Sequence, residues 1–199
     1  LRGQLMQAAV PAGTGAMVAV LGAEDAVIEA ACADAAQGEI VVPANFNTPG
    51  QVVIGGHVAA VDRAVALLAE RGVRKAVKLS VSVPSHTPLM RDAATPLSVA
   101  MHGIEWRMPS IPVVQNVDGR VHGDPASIVD ALVRQLHQPV QWTRCVQALA
   151  ALGVARLVEC GPGKALTGMA KRIDKALEAK AIGSAADFDA TITEWSTTP

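Results

Sequence analysis

The sequence predicts an α/β protein: a parallel-sheet core into which a small β-α-β-β-α-β unit, a ferredoxin-like subdomain, is inserted. Three observations predict it. Between residues 15 and 80, strand-length apolar runs and helix-period runs follow one another in the order β-α-β-β-α-β, the split-βαβ arrangement. Helical text precedes that stretch, and after it strands again alternate with helices, the pattern of parallel pairing. Half of the 199 residues are hydrophobic and 18% are charged, a composition that can bury a substantial core. The expected division gives residues 13–81 to the inserted subdomain, and 1–12 together with 82–199 to the core.

Residues 1 to 9 read as the end of an amphipathic helix, with Leu1, Leu5, Met6 and Ala9 apolar and with Pro11 and Gly13 to stop it. Residues 15–21 form an apolar run of strand length. Residues 23–37 carry helix periodicity through Val27, Ile28, Ala31 and Cys32, closed by Gly38. Residues 40–45 predict a second strand, Phe46-Asn47-Thr48-Pro49-Gly50 has turn chemistry throughout, and residues 51–54 return as a third strand. A helix is expected from His57 to Gly72, with Val58, Val61, Val65 and Leu68 on one face, and a fourth strand over 76–79. Beyond it, residues 86–102 are helical in period, and Pro109 and Pro112 bracket a linker. Residues 113–117 read as a short buried strand ending at Asp118-Gly119. Asp124-Pro125 opens a helix to residue 136, with Pro125 well placed at N1. A helix over 140–152 and a strand over 156–160 follow. That strand runs into Gly161-Pro162-Gly163-Lys164 and a helix to about residue 176. The tail from Ala181, with Trp195 near its end, is small and polar.

The stretch Leu79-Ser80-Val81-Ser82-Val83-Pro84-Ser85-His86 organises the candidate chemistry. Pro84 pushes Val83 toward an extended backbone, and Thr87-Pro88-Leu89-Met90 reads as a first helical turn, with Thr87 or Ser85 as its cap. His86 thus stands where a strand gives way to a helix, the place where α/β proteins present side chains to substrate. An imidazole there can act as a general base near neutral pH. A lone histidine at such a junction equally suits a capping or surface residue, and spacing alone leaves both roles open.

Other features narrow the function by exclusion. Seventeen Lys+Arg balance 18 Asp+Glu, and aromatics are 3% with no Tyr, so no nucleic-acid footprint or stacking platform is expected. Apolar runs are short and interrupted, which predicts no membrane span and no secretory signal. Cys32, Cys145 and Cys160 form no C-x-x-C pair and are expected as small buried hydrophobes in a reducing compartment. His57, His102, His122 and His137 lack metal-ligand spacing. Gly161-Pro162-Gly163-Lys164 fails the phosphate-loop pattern because Ala165 follows the lysine, and reads as a tight strand-to-helix turn. Asn45, Asn47 and Gln51 suit a turn. Gln135 is a helix residue whose carbonyl, near the helix end, can lack an intrahelical partner.

Together these segments resemble malonyl-CoA:acyl carrier protein transacylases. The resemblance is carried by Arg2-Gly3-x-x-Met6-Gln7, Gly13-Thr14-Gly15-Ala16-Met17, residues 45–54 (NFNTPGQVVI), Ser82-Val83-Pro84-Ser85-His86, Val133-Arg134-Gln135-Leu136, Pro139-Val140-Gln141-Trp142 and residues 159–168 (ECGPGKALTG). They occur in order over the chain to about residue 175. The V-P-S-H form looks more like the free-standing bacterial enzyme than like the acyltransferase domains of polyketide synthases.

The resemblance implies an α/β-hydrolase-like core and a serine acyl-enzyme that carries malonyl from malonyl-CoA to the phosphopantetheine thiol of acyl carrier protein, without metal or cofactor, in the cytoplasm. His86 matches the general base, and Gln135 the residue whose main-chain carbonyl orients it. Arg2 matches the arginine that grips the malonyl carboxylate. Asn47 and Asn116 are taken as further substrate-binding residues. His86 Nδ1 is then expected about 2.6–3.2 Å from the Gln135 carbonyl oxygen. No G-x-S-x-G elbow occurs in the chain and its first residue is Leu1, so the core is expected to be incomplete, with the nucleophile outside these residues and the chain alone inactive and poorly stable. A polyketide-type acyltransferase domain and a non-catalytic carrier-binding module are the alternatives.

Overall fold

The structure, a computed structural model, describes residues 1–81 and 83–197. Ser82 of the Ser82–His86 motif lies outside the described residues, as do Thr198 and Pro199. The chain is an α/β fold with mixed sheets, and divides into two compact units, Leu1–Cys145 and Val146–Pro199.

In the first unit, helix α1 (Arg2–Ala8) precedes strand β1 (Gly15–Leu21), helix α2 (Asp25–Ala36), strands β2 (Val41–Thr48) and β3 (Gln51–His57), helix α3 (Val58–Glu70) and strand β4 (Lys75–Lys78). The four strands form one antiparallel sheet in the order β2-β3-β1-β4, with Ala19 opposite both Val53 and Val77. Alternation decides what each face buries. Ala16, Val18 and Val20 of β1, with Val52 and Ile54 of β3, pack against Ile28, Ala31 and Ala35 of α2 and Val61, Ala64 and Leu68 of α3. Met17 and Val53 turn to the opposite face, where they meet Ala44 and Leu79. Arg63 of α3 ties the two helices together: its guanidinium donates to the last-turn carbonyls of Ala35 (2.9 Å) and Ala36 (3.1 Å) and pairs with Glu39. These are carbonyls that a helix end leaves unsatisfied.

The expected turn over 46–50 is shorter than its composition suggests. β2 continues to Thr48, and only Pro49 and Gly50 (φ +77°) remain between the strands. The strand survives its turn-forming residues by irregular register, shifted between Pro43 and Asn45 and again between Phe46 and Thr48. It also finds a second neighbour: Phe46 N–H donates to the Val140 carbonyl (2.8 Å) and Val140 N–H to the Ala44 carbonyl (2.9 Å). His57 ends β3 rather than opening the helix, and its Nδ1 accepts the Ile40 N–H at 2.9 Å.

After β4 come a 3-10 turn (Pro88–Met90), helix α4 (Arg91–His102), strands β5 (Val114–Gln115) and β6 (Arg120–Val121), helix α5 (Pro125–Arg134) and helix α6 (Trp142–Ala151). β4 stops at Lys78, so His86 lies in a turn of its own and not at a direct strand-to-helix junction. The expected strand over 113–117 does not join a parallel sheet. It is a two-residue strand paired antiparallel with β6, because Asp118-Gly119 folds the chain back on itself: Gly119 (φ +69°) donates to the Gln115 carbonyl at 2.8 Å.

The second unit holds strand β7 (Arg156–Cys160), helix α7 (Ala165–Ile173), strand β8 (Glu178–Ile182) and helix α8 (Ala185–Thr197). β7 and β8 are parallel, as expected for strands joined through a helix. α8 and the last two residues of β8 lie in the small, polar tail from Ala181. Their anchor is Trp195, which has the Arg156 guanidinium and the Lys180 ammonium 5.4 and 5.5 Å from its ring centre and donates its indole N–H to Glu178. Among the described residues, no helix is long and apolar enough to cross a membrane.

Candidate active site

The loop that carries His86 is seated on the four-stranded sheet at two glycines. Pro84 is fully buried, and a Cβ on Gly15 would stand 2.4 Å from its ring, so β1 must begin with a residue that has no side chain. Thr87, fully buried, donates its hydroxyl to the Pro84 carbonyl at 2.7 Å, and a Cβ on Gly55 would meet its methyl at 3.0 Å. From this seat the chain enters the 3-10 turn with Pro88 at its start, as its fixed φ favours.

The other half of the site is the carboxyl end of α5. That helix begins at Asp124, whose carboxylate accepts the Ser127 N–H at 2.8 Å, a reciprocal of its sequence signature with Pro125 at N1. It ends at Gln135, beyond which the last carbonyls have no intrahelical donors. His86 takes two of them. Its backbone N–H donates to the Leu136 carbonyl at 3.0 Å, and Nδ1 lies 2.7 Å from the Gln135 carbonyl oxygen, within the expected range. Holding both bonds places His86 at φ +62°, the left-handed region that side chains seldom adopt.

A carbonyl can only accept, so the 2.7 Å contact makes Nδ1 the protonated nitrogen. Nε2 is left with its lone pair, the tautomer a general base needs. Burial pushes the His86 pKa below its ordinary value. The Gln135 carbonyl works in the opposite direction, and the Arg2 charge lowers the pKa further. At neutral pH the ring is therefore uncharged. The Gln135 side chain braces the turn: its amide nitrogen donates to the Gln138 carbonyl (3.1 Å), while its buried Oε1 has no partner among the described residues.

Arg2 reaches this site through α1. It stands one turn before Met6 on the same helix face. Met6 packs with Met90, Ala93, Leu97 and Leu136, so the face that bears Arg2 lies against the loop of His86 and the end of α5. No carboxylate pairs with the exposed Arg2 among the described residues.

Asn47 and Asn116 are not joined to this group. Asn47 is half-buried in the irregular part of β2. Asn116 is exposed after β5, where its side-chain oxygen accepts from the Cys145 thiol at 3.5 Å and its carbonyl accepts from Gln141 N–H at 2.7 Å. Three supports escaped the sequence reading. Leu136, the second carbonyl on His86, has no sequence signal beyond its place after Gln135. Gly15, in a strand and a resemblance motif, and Gly55, just beyond the expected third strand, show nothing of the loop they seat. The third support is Asp118, which pairs with His122 (3.1 Å) and with Arg134 (3.3 Å), bracing the β5–β6 hairpin against the end of α5.

The remaining candidates resolve into structural roles. In the second unit Glu159 accepts both the backbone N–H (2.8 Å) and the hydroxyl (2.9 Å) of Thr167, which hold its carboxyl below the usual range. The amino end of α7 is thus occupied by the chain's own carboxylate, and Gly161 (φ +130°) and Gly163 (φ +99°) shape the turn before it. Burial pushes the thiol of Cys32 up to about 12 and that of Cys145 up to about 11, so both are inert at neutral pH. Cys160, expected to be buried, is exposed, because β7 has only one paired neighbour among the described strands. No three His, Cys, Asp or Glu among the described residues are arranged to hold a metal ion.

The chain is similar to several known proteins. A malonyl CoA-acyl carrier protein transacylase of Salmonella typhimurium is 51% identical over 194 residues, which are 98% of this chain and 63% of that protein. A crystal structure of a malonyl-CoA:acyl carrier protein transacylase from Xanthomonas oryzae pv. oryzae matches with a TM-score of 0.95 and 66% identity, over 98% of this chain and 62% of that one. A malonyl-transacylase solved in complex with its type II PKS acyl carrier protein matches at 47% identity and a TM-score of 0.94, over 97% of this chain and 62% of that one. The chain thus spans somewhat over three-fifths of the length of these relatives. The acyl transferase domain family matches residues 1–187, taking in α1 with Arg2, the His86 loop and the end of α5, and the chain belongs to that family.

Proposed function

We propose that this chain supplies the base and the carboxylate grip of a malonyltransferase that moves malonyl from coenzyme A to the phosphopantetheine thiol of acyl carrier protein. The observation that carries the proposal is the contact of 2.7 Å between His86 Nδ1 and the Gln135 carbonyl, which leaves Nε2 free to take a proton. The relatives named above as malonyl transacylases support the substrate pair. The nucleophile in this reading is a serine outside the 199 residues. His86 Nε2 takes the proton of its hydroxyl as the oxygen attacks the thioester carbonyl, then returns the proton to the departing coenzyme A sulfur. In the second half the carrier thiol gives its proton to Nε2, attacks the acyl ester, and the serine oxygen leaves with that proton. Arg2 holds the malonyl carboxylate in a bidentate fork. Asn47 and Asn116 are proposed to line the substrate path, and residues 13–81 to form a ferredoxin-like subdomain inserted in an α/β-hydrolase-like core made of 1–12 and 82–199. The reaction belongs to the cytoplasm, where coenzyme A thioesters and carrier protein meet.

The test is transfer of labelled malonyl from coenzyme A to holo-carrier protein. It uses the protein at its full encoded length, the same protein with His86→Ala, and residues 1–199 alone. Transfer is expected only from the first. Transfer by His86→Ala at the unaltered rate would overturn the base. Turnover by 1–199 would place the nucleophile among this chain's own serines.

A further inference from the structure

We propose that Arg2 both grips the substrate carboxylate and, while it is ungripped, restrains His86 as a base, so that the acid substrate itself releases the base. The inference rests on the malonyl reading above and adds a form of control to the same two residues. Three placements carry it. Arg2 shares a helix face with Met6, and Met6 is packed with Leu136, whose carbonyl holds the His86 backbone N–H. Among the described residues Arg2 has no carboxylate partner to neutralise its charge. His86 is held by two main-chain carbonyls, and among the described residues no carboxylate bonds its ring to offset a nearby cation.

The other charged groups near this junction do not replace Arg2. Arg91 at the start of α4 and Arg134 at the end of α5 act on His137, whose own pKa is lowered by burial and by both cations. Asp92, in the first turn of α4, forms no ion pair with Arg2. Burial is the main force keeping the His86 ring neutral, and among the described residues Arg2 is the cation that adds to it by opposing positive charge on the ring. A carboxylate bound to the guanidinium cancels most of that opposition, and the imidazole then accepts the serine proton more readily. An uncharged acyl group, such as acetyl, would occupy the site without releasing the base. Selection for the acid would then act on the chemical step as well as on binding.

The experiment reads the His86 Cε1–H signal by NMR across pH in the protein at its full encoded length, assigned by its disappearance in His86→Gln. Monoethyl malonate is the probe, because it carries one carboxylate as a malonyl thioester does. Ethyl acetate is the uncharged control. Three results are expected: Arg2→Gln moves the midpoint to higher pH, Arg2→Lys leaves it near its original value, and the half-ester raises it in the unaltered protein but not in Arg2→Gln. Ethyl acetate should move neither. An unchanged midpoint in Arg2→Gln overturns the proposal. Saturable half-ester binding without a change of midpoint overturns it and leaves the carboxylate grip standing. Failure of the half-ester to bind overturns both.

Discussion

At the scale of one residue, if Arg2 grips the malonyl carboxylate as proposed, Arg2→Ala should separate the acid from the uncharged substrate. Loss of a bidentate, charge-assisted contact weakens binding by about 1.5–3 kcal/mol. Malonyl transfer should therefore fall by about tenfold to a hundredfold in kcat/KM, while acetyl transfer is kept or raised. Equal losses with both acyl groups would make Arg2 a structural residue. His86 also links folding to pH. Its folded pKa is lowered, so below about pH 6.5 the unfolded chain binds a proton that the folded chain refuses. The stability this group contributes is complete above about pH 6.5 and is lost as pH falls toward the folded value. His137 adds in the same direction. Denaturant midpoints measured between pH 7.5 and 5 should decline less steeply in His86→Gln than in the unaltered protein. Which atoms hold the imidazole is only partly legible in the sequence: Gln135 lies 49 positions away and stands out through family resemblance alone, and Leu136 shares that motif with nothing to mark its carbonyl as a partner.

Among the elements, β1 is the one whose first residue is fixed by another segment. A methyl on Gly15 would collide with the Pro84 ring at 2.4 Å, and the obstruction is a packed ring rather than a flexible side-chain end. Gly15→Ala should thus displace the His86 loop, destabilising the fold by about 1–3 kcal/mol and lowering malonyl transfer with it. Thermal unfolding and the transfer assay on one preparation check this; an unaltered melting point would mean that the loop is not seated on β1. The same region shows why local patterns succeed or fail. β1, α2, β3 and α3 announce themselves by period, because each buries one regular face against the others. The end of β2 does not. Asn47, Pro49 and Gly50 favour a turn locally, yet Phe46 and Thr48 stay extended by pairing with Val52 and Gln51 of β3, and Ala44 and Phe46 gain a second backbone partner in Val140, 94 residues beyond Phe46. That second partner lies outside any window of neighbouring residues.

At the scale of the whole molecule, the segment between α4 and β5 gathers several uncovered apolar side chains. Ile104, Met108, Ile111 and Val113 are all exposed within ten residues, and Ile111 is 75% exposed. Surface of this kind favours association in place of solubility. Ile111→Ser should leave stability within about 0.5 kcal/mol, since so little of the side chain is buried, and should reduce self-association of residues 1–199 in sedimentation. A marked loss of stability would show that Ile111 is packed in solution. The parallel pairing of β7 with β8 and the helix α8 complete the same lesson at this scale. α8 lies in a small, polar tail, and it is joined to β7 and β8 by an indole held between Arg156, Lys180 and Glu178.

The left-handed backbone at His86 has a practical corollary. The bond from its N–H to the Leu136 carbonyl belongs to the main chain, and φ +62° is a conformation glycine takes without penalty. His86→Gly should accordingly keep the loop in place, relieve about 1 kcal/mol of strain, and open a ring-sized vacancy facing the Gln135 carbonyl. A small heteroaromatic base added to the buffer could fill that vacancy. Free imidazole at millimolar concentration should then restore part of the lost transfer to His86→Gly, saturably, while giving none to a variant whose replacement side chain fills the space, such as His86→Leu. A protein whose base can be removed and returned at will would allow single rounds of acyl transfer to be started on demand.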